Sequence, residues 1–354
     1  MKSEEVSLKL LGSITQKDIR IGEDIYIKKG SILSTRDISY LKKMNVKKVL
    51  VSKVLVEKPL LLQLERFVVK SEQPLFWEEY IDTLEQTKKF FKLLENGAIE
   101  DPEPLLLKMH NLISLLEDKK EFFKFAYSVI GCEDSLYRHS INVSILSYII
   151  GEITLLEKPI LLSQMGYLHD IGKVRLDQEI LYKEVPLTFE EKLHVQKHTT
   201  LGVPLLKSLG IYNTYIQEAV LYHHENRKGD GYPNRLDSKR LPHGVQIISF
   251  IDALDTLCSD RVYKTKTSFM NALNILYFDA VSNKLNPLVV FSFVEYIFEL
   301  FTEESVLLSD GRFGQLYHLN PKEIIRPIVK LENDTYLDLS LYQDLYIHDF
   351  KKNN

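Results

Sequence analysis

The run Leu168-His169-Asp170-Ile171 sets an imidazole and a carboxylate side by side inside an apolar helical pattern that begins near Leu161. Burying an unpaired carboxylate there would cost several kcal/mol, so the pair needs a partner. Two solutions exist: a buried hydrogen-bonded pair, or a metal ion. A His-Asp dipeptide alone does not choose between them.

The same conflict recurs along the chain. Seven of the ten histidines lie between His139 and His243. His139 sits in the first turns of an apolar helical run, and His223-His224-Glu225 closes another, Ile216 to Tyr222. Asp252 and Asp255 stand three apart in Val245-Gln-Ile-Ile-Ser-Phe-Ile-Asp-Ala-Leu-Asp255, which places both on one helical face. Four polar intrusions into apolar helices, rich in imidazole and carboxylate and free of thiolate, read as one shared metal site. After the capping-box signature Thr188 to Glu191, His194 and His198 fall one helical turn apart. Either of them is a ligand by spacing, and either is equally a solvated side chain among Glu190, Glu191, Lys192 and Lys197.

Composition removes several classes. With 45 Lys+Arg against 49 Asp+Glu the chain lacks the basic excess that tracks a polynucleotide. Its two cysteines, Cys132 and Cys258, form no Cys-x-x-Cys pair, so neither a disulfide framework nor a zinc knuckle is expected, and a reducing cytoplasm fits. The amino terminus lacks the apolar core of a signal peptide, and the most apolar stretch, Ile145 to Leu162, is interrupted by Glu152, Glu157 and Lys158. No membrane span is expected.

At 354 residues the chain exceeds the size at which one core usually stops growing. Residues 1–55 alternate apolar and polar positions and predict a small β-rich leading domain with a short helix at Thr35 to Met44. Residues 56–130 turn helical, with a stop at Asn96-Gly97 and a restart at Asp101-Pro-Glu-Pro104, and predict a helical connector. Residues 131–305 are strongly helical and carry the His/Asp set. Residues 306–354 revert to short β-like runs around Ser309-Asp-Gly311. The expected fold is therefore mainly α, with an all-helical catalytic domain between a small β-rich start and a β-like appendix.

Taken together, these motifs resemble the HD-GYP family, a branch of the HD phosphohydrolases that degrades cyclic di-GMP in bacterial second-messenger signalling. The match runs in order through His139-Ser140, His169-Asp170-Ile-Gly172-Lys173, Leu187-Thr188 with Glu191, and His198 with Gly202. It continues through His223-His224-Glu225, Gly229, Gly231-Tyr232-Pro233, Asp252 with Asp255, and Arg261-Val-Tyr263-Lys264. Carried over position by position, the resemblance implies metal ligands at His139, His169, Asp170, His198, His223, His224 and Asp252. It implies two divalent ions, iron or manganese, bridged by Asp170, with a bridging hydroxide attacking cyclic di-GMP in line to give pGpG and then GMP. Lys173 would neutralise phosphoryl charge or protonate the leaving oxygen, unless it is an ordinary helix-end lysine. Arg261 and Lys264 would hold substrate phosphates. Tyr232 would pack on a guanine or meet a phosphate, or else serve only its turn.

The chain departs from the family at Asn226 and Lys228, where Arg or Lys and then Asp are usual, so a weakly catalytic cyclic-dinucleotide receptor is the competing expectation. The same chemistry on another cyclic dinucleotide or on a nucleotide is a third. Where some members carry a third-metal glutamate this chain has Ser135, with Glu133 and Asp134 close by. The leading region is expected to regulate or to mediate assembly, with a second copy or a signalling protein as its partner.

Overall fold

A computed structural model describes residues 2–6, 14–21, 24–29, 31, 33, 35–52, 59–128, 135–183, 185–259, 267–320 and 323–350. Strands β1 (Lys2–Glu5), β2 (Ile14–Thr15), β3 (Ile19–Ile21), β4 (Asp24–Ile27) and β5 (Lys48–Ser52) surround one helix, α1 (Thr35–Lys43). They form an antiparallel sheet in the order β1-β5-β2 and a β3-β4 ribbon. Ile27, Leu33, Leu41, Val49 and Val51 make a small core of their own.

Helices then follow, with no strand between them among the described residues. They are α2 (Pro59–Lys70), α3 (Pro74–Glu95), α4 (Glu103–Ser114), α5 (Lys119–Ala126), α6 (Ser135–Thr154) and α7 (Pro159–Leu168). A 3-10 turn, Ile171–Arg175, leads to α8 (Gln178–Leu181), α9 (Phe189–Gln196), α10 (His198–Ser208), α11 (Thr214–Tyr222), α12 (His243–Cys258), α13 (Phe269–Val281) and α14 (Pro287–Leu300). The chain ends in β6 (Ser305–Leu308), β7 (Phe313–His318), β8 (Ile328–Leu331), β9 (Tyr336–Asp338) and β10 (Ile347–Phe350), an antiparallel sheet in the order β10-β6-β7-β8-β9. The mainly α fold with strands at both ends is the one the sequence predicts. Among the described residues no helix is long and apolar enough to cross a membrane.

The local signals explain most of these boundaries. Gly97, at φ +85°, stops the turn after α3, and the Thr188–Glu191 capping box opens α9 with both of its reciprocal bonds made. Helix α6 is buried on almost every side, from Leu136 to Gly151, so its polar residues must find partners inside the protein. Helices α3, α7, α12 and α14 pack around it. Phe123 of α5 meets Phe269, Phe293 and Phe301, so one apolar core runs from Leu60 to Ile347. The helices that carry the His/Asp set therefore stand on a close-packed base rather than on loops.

Candidate metal centre

The site collects the ends of helices. His139 projects from the second turn of α6, His169 ends α7, and Asp170 begins the 3-10 turn. His198 opens α10, His223 and His224 end α11, and Asp252 comes from the middle of α12. All but His139 and His224 are buried.

Asp170 lies between two sets of imidazoles. Its Oδ2 is 3.6 Å from His139 Nε2 and 3.5 Å from His169 Nε2. Its Oδ1 is 3.3 Å from His198 Nε2 and 3.7 Å from His223 Nε2. Two groups of potential ligand atoms result, His139-His169-Asp170 and Asp170-His198-His223-His224, each converging within 4.8 Å. Asp252 closes the other side, with Oδ1 3.1 Å from His139 Nε2 and Oδ2 3.7 Å from His224 Nδ1.

Three rings are held by the same device. Nδ1 of His169 donates to the Gly166 carbonyl (2.6 Å), that of His198 to Val195 (2.7 Å) and that of His223 to Ala219 (2.9 Å). A neutral ring that donates from Nδ1 presents a bare lone pair at Nε2. Yet His198 Nε2 and His223 Nε2 lie only 3.2 Å apart, and Asp170 Oδ1 has no hydrogen-bond donor among the described residues. Converging lone pairs with no proton between them repel. A cation relieves that repulsion, and a donor set of imidazole and carboxylate suits a divalent metal.

The electrostatics point the same way. Burial holds His198 and His223 neutral down to about 4. Burial also opposes charge on Asp170, but Lys173 and the surrounding imidazoles outweigh it and keep the carboxyl well below the usual range. His139 is the exception: burial works against its charge, yet the bonds to Asp252 and Asp255 carry its pKa up to about 9.

Lys173 donates to Asp170 Oδ2 from one turn further on, so it is not an ordinary solvated lysine. The Tyr232 ring lies beside that of His224, with ring centres 4.7 Å apart and planes tilted by 30°, and the Tyr232 N–H donates to the His224 carbonyl (3.3 Å). Arg261 and Lys264 lie outside the described residues, as do Glu133 and Asp134.

The expected helix bearing both His194 and His198 is not found. Helix α9 ends at Gln196 and α10 starts at His198, so the spacing of four does not align them; His194 Nε2 instead accepts from the Asp177 N–H (3.4 Å). The altered loop is also better satisfied than its departures suggest. Asn226 donates to Asp230 and accepts from the Lys228 N–H, and Lys228 Nζ turns to Ser282 (3.4 Å).

Two supporting carboxylates were assigned no role from sequence. Asp255 Oδ2 accepts from His139 Nδ1 (2.7 Å) and orients that ring; its spacing of three from Asp252 was the available signal. Glu225 accepts from the Asn234 and Leu236 N–H groups (2.6 and 3.0 Å) and so ties the Gly-Tyr-Pro loop to the end of α11.

A helical domain that gathers a His/Asp cluster from several helices is the arrangement expected of an HD-type domain. Residues 112–289 match the model of the HD domain family, and the chain belongs to that family; its Gly231-Tyr232-Pro233 loop marks the HD-GYP branch. It is 29% identical over 220 residues to a cyclic di-GMP phosphodiesterase of Thermotoga maritima, covering 60% of this chain and 56% of that one. It is 26% identical over 238 residues to 3'3'-cGAMP-specific phosphodiesterase 1 of Vibrio cholerae, covering 64% and 51%. The chain thus spans about half the length of these relatives. The solved structure of Bd1817, an HDG"Y"P protein from Bdellovibrio bacteriovorus, shares the fold at 15% identity, with a TM-score of 0.52, covering 84% of this chain and 99% of that one.

Proposed function

We propose that this chain hydrolyses a phosphodiester bond of a cyclic dinucleotide, cyclic di-GMP first among them, with two divalent ions, iron or manganese. The single observation that carries this reading is the Asp170 carboxylate, which faces one imidazole pair with each oxygen. His139, His169 and Asp252 would hold one ion, and His198, His223 and His224 the other, with Asp170 shared. Ions so held would neutralise charge on the phosphoryl oxygens and supply an activated water.

The chain's own groups do the rest. Lys173 keeps an ammonium at Asp170, where it meets charge developing on the phosphoryl group or returns a proton to the leaving ribose oxygen. Tyr232 stays protonated, because burial raises its pKa and Asp170 and Asp252 add to the effect, so it can donate to a phosphate or offer its ring to a guanine. On the family resemblance, Arg261 and Lys264 take the phosphates, the first product is linear pGpG, with GMP following, and the reaction belongs to the cytoplasm.

The competing reading, a receptor with negligible turnover, draws its support from the departures at Asn226 and Lys228; against it, the bonds of Asn226 to Asp230 and to the Lys228 N–H keep the loop internally bonded, which supports the enzyme reading. Substrate choice has a specific rival, since relatives include cGAMP-specific enzymes. The test is a chromatographic assay of protein purified without oxygen and loaded with Fe(II) or Mn(II), given equal cyclic di-GMP and 3'3'-cGAMP. Consumption of cyclic di-GMP ahead of cGAMP, lost on chelation, is expected. Cyclic di-GMP left intact with both metals, while a known phosphodiesterase consumes it, would overturn the assignment.

Metal capture should also release a proton. Without metal His139 is protonated below about 9, whereas His198 and His223 are already neutral above about 4. A ligand nitrogen must shed its proton to bind, so affinity should rise with pH up to about 9. Calorimetry at pH 7.5 in buffers of different ionisation enthalpy should show about one proton leaving this group per chain. A heat independent of buffer would remove His139 from the ligand set.

A further inference from the structure

Helix α3 lies ahead of the segment that matches the HD domain family, yet it reaches the outer side of the metal centre. Tyr80, buried on α3, donates its hydroxyl to Asn142 Oδ1 (2.7 Å). Asn142, one turn after His139 on α6, donates Nδ2 to Asp255 Oδ1 (3.0 Å). The other oxygen of Asp255 accepts from His139 Nδ1 (2.7 Å). Tyr80, Asn142 and Asp255 are all buried. We infer that Tyr80 is a positioning residue for His139: its hydroxyl fixes the Asn142 amide, the amide fixes the Asp255 carboxylate, and the carboxylate orients the imidazole. This rests on the reading of the site as a metal centre.

The chemistry gives the relay one direction. A carboxylate only accepts, so Asn142 must turn its NH2 end to Asp255, which leaves its oxygen facing Tyr80. A buried oxygen without a donor is costly, and the Tyr80 O–H supplies that donor. Remove the hydroxyl and the amide can rotate to seek another partner, which withdraws a donor from Asp255 and loosens the ring it holds. Ser259 Oγ, at 3.3 Å from Asp255 Oδ2, is a longer contact on the oxygen that already serves His139, and it cannot replace the Asn142 bond. Supporting groups one bond out from a metal-bound histidine set its tautomer and direction, and their loss lowers metal affinity without touching the metal.

A second buried bond on α3 separates this role from packing. Thr87 Oγ1 lies 2.7 Å from the Tyr167 hydroxyl, and so joins α3 to α7, but it reaches a tyrosine rather than the carboxylate behind a ligand. Thr87→Val therefore costs the same helix this bond and the one that Thr87 Oγ1 donates to the Thr83 carbonyl (2.7 Å), with no route to His139.

The experiment is Mn(II) titration calorimetry on the full chain, with the melting temperature of each metal-free variant alongside. Tyr80→Phe should weaken Mn(II) binding on the order of fivefold, below the roughly 10- to 100-fold expected for Asp255→Asn. Thr87→Val should bind Mn(II) like the parent even if it melts earlier. The double variant Tyr80→Phe/Asp255→Asn should bind no more weakly than Asp255→Asn alone, because the tyrosine acts through that carboxylate. If Tyr80→Phe does not fold, Asn142→Leu breaks the same relay and carries the same expectation. Parent-like Mn(II) binding by the relay variant, or a loss that adds to that of Asp255→Asn, overturns the inference alone. A parent chain that binds no Mn(II) overturns the metal reading, and the inference with it.

Discussion

Asp170→Asn is expected to abolish phosphodiester hydrolysis, with a loss of at least about a thousandfold in kcat, or roughly 4 kcal/mol of transition-state stabilisation. The substitution keeps the shape of the side chain and changes two things that matter. It removes a negative charge that burial opposes and that Lys173, first among its neighbours, stabilises. It also replaces one carboxylate oxygen with an NH2 group whose hydrogens would point at bare Nε2 lone pairs 3.3 to 3.7 Å away. Either orientation of the amide spoils one half of the site. Metal content should fall from the proposed two ions per chain to one or none, read by elemental analysis after desalting. The metal-free melting temperature should fall, because a carboxyl held well below its usual range stabilises the fold through its charge, although Lys173 keeps partial access to water and limits the loss. Retained turnover would exclude Asp170 as the shared ligand, and a collapse of the metal-free fold would make the loss uninformative about chemistry.

Much of this centre was legible because its proposed ligands violate the local rules around them. His169-Asp170, His223-His224 and Asp252 stand in apolar runs, and polar groups in such runs require partners wherever they fold. The helices were legible for the opposite reason, since Gly97 and the Thr188–Glu191 box obey those rules. Spacing failed at His194 and His198, where a helix break at Lys197 cancelled the periodicity on which the argument depended. Tyr80 carried no signal at all. A tyrosine among Phe76, Trp77 and Leu84 reads as core, and only the packing of α3 against α6 sets its hydroxyl on Asn142. Long-range contacts of this kind are invisible to a local pattern.

The convergence also depends on a close approach that one methyl group would prevent. Gly172, in the 3-10 turn two residues after Asp170, lies against the start of α10; a Cβ there would stand 1.9 Å from the His198 carbonyl oxygen and 2.8 Å from the Gly202 nitrogen. Both neighbours are backbone, so no rotamer change relieves the overlap. Gly172→Ala must push the turn carrying Asp170 away from the helix carrying His198, which are the residues on the two sides of the proposed second ion. Overpacking typically costs about 1–3 kcal/mol, and a clash against fixed backbone belongs at or beyond the top of that range, near 3 kcal/mol. A displacement of about 1 Å at such a site would cost on the order of a hundredfold in rate. Gly244→Ala is the matched comparison: its Cβ would also overlap a neighbour, at 2.7 Å, but that neighbour is Met165 Cε, the far end of a flexible side chain that can swing aside. Denaturant melts and turnover measured together should therefore show a severe double defect for Gly172→Ala and a mild one for Gly244→Ala. Equal, mild effects would mean that the turn and α10 have room to separate, and that the geometry around Asp170 is looser than its contacts imply.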